Sequence, residues 1–170
     1  HPVIGTSGLA GSQIETLQEL CAKQELGGLI VPNFAISAVL MMKFASEAAR
    51  YLPNVEIVEL HHDAKVDAPS GTAIRTSELI AASRSQAKSE SNTGENQSPS
   101  RGDLLNGIPI HAVRLPGFIA HQEVIFGGKG QALTIRQDSF SRESFADGIR
   151  IACKKVSKLQ QLHYGLEHVL

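Results

Sequence analysis

The chain has 170 residues, 42% of them hydrophobic, and a formal net charge of −1 at neutral pH. That is enough apolar material for one full domain, or one domain and part of another, and too balanced a charge for a nucleic-acid-binding footprint. No run of about 18 apolar residues is available to cross a bilayer, and no basic segment precedes an apolar stretch as in a signal peptide.

The chain opens without a methionine, at His1, and runs directly into the apolar strand Pro2-Val3-Ile4. A strand of this kind needs neighbours on both sides, so a preceding segment is expected. The strand ends in Gly5-Thr6-Ser7-Gly8, and Ile14, Leu17, Leu20 and Cys21 then recur at helical spacing. Gly27-Gly28 breaks that helix before a second buried strand, Leu29-Ile30-Val31. The unit reads as βαβ with parallel strands, which implies further strands beside it, because parallel sheets are covered on both faces. Pro32-Asn33 caps a long helix predicted over 34–51. A strand over 55–60 delivers His61-His62 at its end, and a second helix is predicted over 72–83.

Residues 84–107 turn polar and rich in Ser, Asn, Gly and Pro, and read as a long mobile loop. Strands over 108–115, 121–126 and 131–137 follow, the last two joined by Gly127-Gly128-Lys129-Gly130. With 55–60 they predict a mixed or antiparallel sheet of about four strands, with helices on one face. Both sides of the 108–115 strand carry apolar residues, so the second face is expected to be covered by another copy of the chain. A helix over 141–159 and a short apolar tail, Leu162, Tyr164, Leu166 and Val169, end the chain. The two cysteines, Cys21 and Cys153, sit on helix-like apolar faces. Read as buried free thiols, they fit a reducing, cytoplasmic compartment.

The chemistry concentrates between His61 and Ala73. Two imidazoles and an ammonium, His61, His62 and Lys65, fall within five residues at a strand end, and Ser70-Gly71-Thr72 starts a helix. The first amides of a helix lack internal partners and carry partial positive charge. Gly71 allows close approach to that backbone, and the Thr72 hydroxyl adds a donor. Lys65 and a protonated histidine add full charge, so the segment suits a small dianion. Histidine gives or takes a proton near neutrality. Adjacent strand residues face opposite sides, which favours separate roles for His61 and His62 over joint chelation.

Plainer readings stand beside this one. Ser70-Gly71-Thr72 can be an ordinary N-cap, and Lys65 can pair with Asp63 or Asp67. His61-His62 can be half of a zinc site, although no third ligand stands at recognisable spacing. Gly5-Thr6-Ser7-Gly8 and Asn33 lie at the same carboxyl edge of the parallel strands, where α/β proteins bind ligands.

Glu59-Leu60-His61-His62-x-x-Lys65-x-Asp67-Ala68-Pro69-Ser70-Gly71-Thr72-Ala73 resembles the signature of the dihydrodipicolinate reductases. Gly5-Thr6-Ser7-Gly8 is similar to the family's Gly-Thr-Thr-Gly turn, and Val31-Pro32-Asn33-Phe34 to its Ala-Pro-Asn-Phe segment. Residues 110–117 and 121–127 resemble its sheet strands. The resemblance implies an oxidoreductase of lysine and diaminopimelate biosynthesis that uses NADPH or NADH to reduce dihydrodipicolinate to tetrahydrodipicolinate. Carried over by position, His61 is the proton donor and Lys65 the second. His62, Ser70, Gly71 and Thr72 bind the dicarboxylate substrate. Gly5, Thr6, Ser7, Val31, Pro32, Asn33 and Phe34 touch the cofactor.

The resemblance further implies an α/β protein. Residues 1–32 and 141–170 would belong to a Rossmann-like dinucleotide-binding domain, as a remnant βαβ unit and a C-terminal helix. Residues 33–140 would form an α+β substrate domain whose sheet builds a homotetramer. The family's opening Gly-x-x-Gly-x-Met/Leu-Gly turn, which supplies backbone donors to the pyrophosphate, is missing from this sequence. Cofactor binding by these 170 residues is therefore expected to be weak or absent. The two rival functions are a non-catalytic dicarboxylate-binding or assembly module and a zinc hydrolase built on His61 and His62.

Overall fold

The computed structural model describes residues 1–6, 8–84 and 98–170. They divide into two compact units, residues 1–39 with 142–170, and residues 40–141. No helix among the described residues is long and apolar enough to cross a membrane.

The first unit is built on β1 (Val3–Ile4), α1 (Gly11–Lys23) and β2 (Gly28–Ile30). The two strands are parallel, with Val3 opposite Leu29 and Ile4 opposite Ile30. The first part of the apolar tail proves to be a third parallel strand, labelled β8 (Leu162–Tyr164) in chain order, so β2 lies central in the order β1-β2-β8, and Leu166–Val169 follows as a 3-10 turn. That position explains why Leu29 and Ile30 are fully buried. Cys21, Ile30 and Leu162 form a small core, with Ile4, Leu9, Ile14, Leu17 and Tyr164 packed against it.

The helix expected over 141–159 is shorter. It is a central α4 (Ala146–Lys155) flanked by 3-10 turns at Arg142–Phe145 and Val156–Lys158. Its buried line is Gly148, Ala152 and Val156, at i, i+4 and i+8. Cys153 lies one residue off that line and is exposed, so the reading of both cysteines as buried holds only for Cys21. Gly148 permits a close approach, because a Cβ there would sit 1.9 Å from the Phe34 carbonyl oxygen. Gly148→Ala is expected to cost about 3 kcal/mol, since backbone rather than a flexible side chain must yield. Chemical denaturation of the variant measures that loss directly.

α2 (Ile36–Ala48) follows an Asn33 turn, in which the Ala35 amide donates to Asn33 Oδ1 at 2.8 Å. It is shorter than the span expected over 34–51. The second unit is a mixed sheet of β3 (Asn54–His61), β4 (Asp103–Leu105), β5 (Ile108–Arg114), β6 (Ala120–Gly128) and β7 (Gln131–Ser139), ordered β4-β5-β3-β6-β7. β3 runs parallel to β5 and antiparallel to β6. The parallel β3–β5 pair needs a crossover, and α3 (Gly71–Arg84) lies between them in the chain.

The fifth strand corrects the mobile-loop reading of 84–107. Residues 85–97 lie outside the described residues, but Pro99–Arg101 is a 3-10 turn and Asp103–Leu105 pairs antiparallel with β5. Asn106 and Gly107 make the two-residue turn between them, with φ of 54° and 71°. Asn-Gly is the pair best suited to two positive φ values in succession, and their twist matches that of the flanking strands.

One face of this sheet carries Val55, Ile57, Ile108, Ile110, Val124 and Phe126, all buried. Gln122 Nε2 on the same face donates to Thr76 Oγ1 of α3 at 2.9 Å, and Ser46 of α2 meets Ser83 of α3 at 2.7 Å. Both helices thus belong to this side. The opposite face presents Val58, Leu60 and Val113, partly exposed, and Ile125 at 36% exposure.

Candidate functional site

The alternation of β3 buries Val55, Ile57 and then, on the same side, Glu59, which is fully inaccessible. An isolated carboxylate in that position is untenable, and this one is fully paired. Its Oε2 meets His61 Nδ1 at 2.5 Å and accepts from Arg114 Nη1 at 2.7 Å. Its Oε1 accepts from Arg114 Nη2 at 2.7 Å and from the Ser70 amide at 3.1 Å. Burial pushes the Glu59 carboxyl up, but the hydrogen bonds from His61 and Arg114 and their charge outweigh it and bring the pKa down to about 2. The same bidentate contact raises the Arg114 guanidinium, against a smaller opposing effect of burial.

These partners come from three places that the fold brings together. His61 is two residues beyond Glu59 on the same strand face, and Arg114 lies directly opposite His61 across the β3–β5 pair. Ser70 precedes α3. The His61 side chain is 14% exposed. Among the described residues no hydrogen bond engages its Nε2. His62 lies just past the strand end and is exposed.

The loop from His62 to Ser70 is anchored from below. The Lys65 amide donates to the His62 carbonyl at 3.1 Å, and Arg114 Nη2 reaches the Asp67 carbonyl at 2.8 Å. Lys65 Nζ binds both carboxylate oxygens of Asp67, at 2.7 and 2.8 Å. The hydrogen bond from Lys65 is the main reason the Asp67 carboxyl falls below its ordinary range. Because the Asp67 side chain is 62% exposed, this pair is worth little to stability.

Ser70 is buried, and its hydroxyl caps α3 by accepting from the Ala73 amide at 3.2 Å. With its own amide given to Glu59, Ser70 fixes the helix start, and Gly71 and Thr72 form the first turn, partly exposed. His61 at the end of β3, Lys65 in the loop that follows and the first turn of α3 lie on one short stretch of chain, and a helix N-terminus of this kind favours an anion. Among the described residues no three His, Cys, Asp or Glu side chains gather as a metal site.

The other predicted residues lie in the first unit. Gly5 and Thr6 follow β1, and Val31 to Phe34 follow β2, at the same edge of the parallel pair. The Val31 amide donates to the Ile4 carbonyl at 2.8 Å, and Thr6 Oγ1 accepts from the Gly8 amide at 3.1 Å. The Phe34 ring packs on Gly5 so closely that a Cβ there would fall 2.8 Å from it. Gly5 is exposed, and the Asn33 side chain takes part in the turn before α2. Val31 is buried. Ser7 lies outside the described residues.

Glu59 and Arg114 are the site members that residue-type reasoning passed over. The signal was present. In Val55-Glu56-Ile57-Val58-Glu59, period-2 alternation places Glu59 on the buried face, and a buried acid demands a cation.

A family model described as "Dihydrodipicolinate reductase, C-terminus" matches residues 37–170. The 4-hydroxy-tetrahydrodipicolinate reductase of Geobacillus kaustophilus (strain HTA426) is 56% identical over 100% of this chain and 64% of its own length. That of Limosilactobacillus fermentum (strain NBRC 3956 / LMG 18251) is 54% identical over 99% of the chain and 65% of its own. The chain thus spans a little under two thirds of these relatives. The structure of a dipicolinate-bound dihydrodipicolinate reductase from Paenisporosarcina sp. TG-14 aligns with a TM-score of 0.83 at 50% identity, covering 99% of this chain and 64% of that one.

Proposed function

The chain belongs to the dihydrodipicolinate reductase family, and on that premise we propose that it carries the substrate site of an enzyme reducing dihydrodipicolinate to tetrahydrodipicolinate in lysine and diaminopimelate biosynthesis. The observation that carries the reading is the buried Glu59, which holds His61 at the mouth of a cradle formed with Lys65 and the start of α3. Such a cradle matches a planar ring bearing two carboxylates, and the solved relative is described as dipicolinate-bound.

In this reading His62, Gly71 and Thr72 bind substrate carboxylate, and Ser70 serves them by fixing the helix start. His61 delivers a proton to the ring carbon next to the one reduced, and Lys65 is the second donor. NADPH or NADH, when bound, supplies the hydride. Gly5, Thr6, Ser7 and Val31 to Phe34 would hold its nicotinamide end. The partly apolar sheet face turned away from α3 supports assembly as a homotetramer, and a biosynthetic reductase fits the cytoplasm.

The decisive assay follows NAD(P)H consumption by the intact protein on dihydrodipicolinate. Substrate-dependent consumption supports the reading. Binding of dicarboxylate without consumption would leave the assembly module in its place. Lys65→Ala is expected to weaken pyridine-2,6-dicarboxylate binding by about 10- to 100-fold, the worth of one charge-assisted hydrogen bond. Calorimetry in the presence of chelator reads this, and loss of wild-type binding on chelation would favour the zinc site instead.

A further inference from the structure

We propose that Glu59 is the positioning residue of the site: it locks His61 as the Nδ1–H tautomer and leaves Nε2 as the nitrogen that exchanges a proton with substrate. This rests on the reading of His61 as the acid and names the atom and the group that make it one.

All four hydrogen bonds to Glu59 come from donors or from His61 Nδ1, two to each oxygen, so the carboxylate has no freedom to rotate away. Three of its partners, the two guanidinium nitrogens and the Ser70 amide, donate only. Its carboxyl stays ionised at neutral pH, so it has no proton to give the ring. The 2.5 Å contact therefore requires the hydrogen on Nδ1. The neutral imidazole then carries its lone pair on Nε2, and the imidazolium carries its transferable proton there. Transfer moves the Nε2 proton to substrate carbon, the N–H bond breaking as the C–H bond forms, and leaves a neutral Nδ1–H imidazole still held by Glu59. The hydride comes from the reduced nicotinamide of the proposed reaction, so charge and atoms balance.

Arg114 completes the device. It neutralises the buried carboxylate and, through the Asp67 carbonyl, ties it to the loop that bears Lys65. Both proton-donating side chains are thus referenced to one buried ion pair. Arg114 Nη1 and Nη2 each make two hydrogen bonds, so this arginine is a clamp rather than a substrate ligand.

The test is 15N NMR of the unmodified, 15N-labelled chain, about two pH units above the ordinary histidine pKa. His61 is assigned by difference with His61→Gln. A pyrrole-type Nδ1 and a pyridine-type Nε2 are expected; the opposite tautomer, or an averaged mixture, overturns the proposal. In the intact protein, Glu59→Gln is expected to lower kcat on the order of 10²-fold with KM within a few-fold, and Glu59→Asp to recover part of it. Equal loss in kcat/KM and folded fraction, with the wild-type tautomer retained in Glu59→Gln, would reduce Glu59 to a structural role. If Glu59→Gln does not fold, the wild-type spectrum decides alone. The expected tautomer combined with an inert His61→Ala would sink the acid assignment while leaving the hold on the ring intact, so the two ideas fail separately.

Discussion

On the proposed reading, His61→Ala in the intact protein should lower kcat by about 10³-fold while KM for dihydrodipicolinate changes by less than about tenfold. The asymmetry follows from the arrangement. In the proposed reading Lys65 and the first turn of α3 hold the two carboxylates, and neither depends on the His61 ring for its place: Lys65 is held by Asp67 and the helix start by Ser70. On the proposed reading the imidazole contributes the proton, which only the transition state uses. Lys65, the second proposed donor, sits beyond the strand and is paired with Asp67, so on this reading it does not take over the ring's place. Steady-state kinetics with both substrates varied checks the prediction. A kcat within a few-fold of wild type would remove His61 from the chemistry, and a large rise in KM at constant kcat would recast it as a binding group.

The second large effect is on stability. Glu59→Ala leaves the Arg114 guanidinium, only 18% exposed, without its counter-ion and removes an acceptor from the Ser70 amide. Breaking one partner out of a buried ion pair costs about 3–5 kcal/mol, which for a domain of this size lowers Tm by about 10 °C. The wild-type protein should show the same dependence through pH. Because the folded-state pKa of Glu59 is depressed from 4.5 to about 2, its contribution is fully present above about pH 4.5. It is lost as pH falls through about 2, and amounts to roughly 3 kcal/mol. Thermal melts between pH 7 and pH 2 should therefore fall more steeply for wild type than for Glu59→Gln. Parallel curves would mean that the pair contributes no such linkage.

Sequence made the βαβ start, the strand carrying His61 and the helix after Ser70 legible, because each has a strong period and a distinct terminator. The fifth strand was missed for a physical reason. Asp103–Leu105 is three residues long and follows a polar stretch, so composition swamped a local signal. The Asn106-Gly107 pair between Leu105 and Ile108 was that signal, and it outranks the surrounding polarity. The tail strand Leu162–Tyr164 was invisible for the opposite reason. Three residues carry no readable period, and only the parallel partner β2 makes them a strand. At the site, residue types announced His61, Lys65 and the helix start. They left open whether Ser70 is an ordinary cap and whether Lys65 pairs with Asp63 or Asp67; the distances across the loop decide both, with Ser70 capping α3 and Lys65 held by Asp67. Arg114 sits 55 residues from Glu59 in sequence, and only the parallel β3–β5 register brings the two together.

Whether the segment from His61 to Thr72 receives a dicarboxylate is tested most directly by amide chemical-shift mapping. Pyridine-2,6-dicarboxylate is titrated into the 15N-labelled chain in the presence of chelator. Saturable shifts at Lys65, Gly71 and Thr72, lost in Lys65→Ala, are the predicted result. Shifts confined to other residues, no saturation, or binding abolished by the chelator would contradict it.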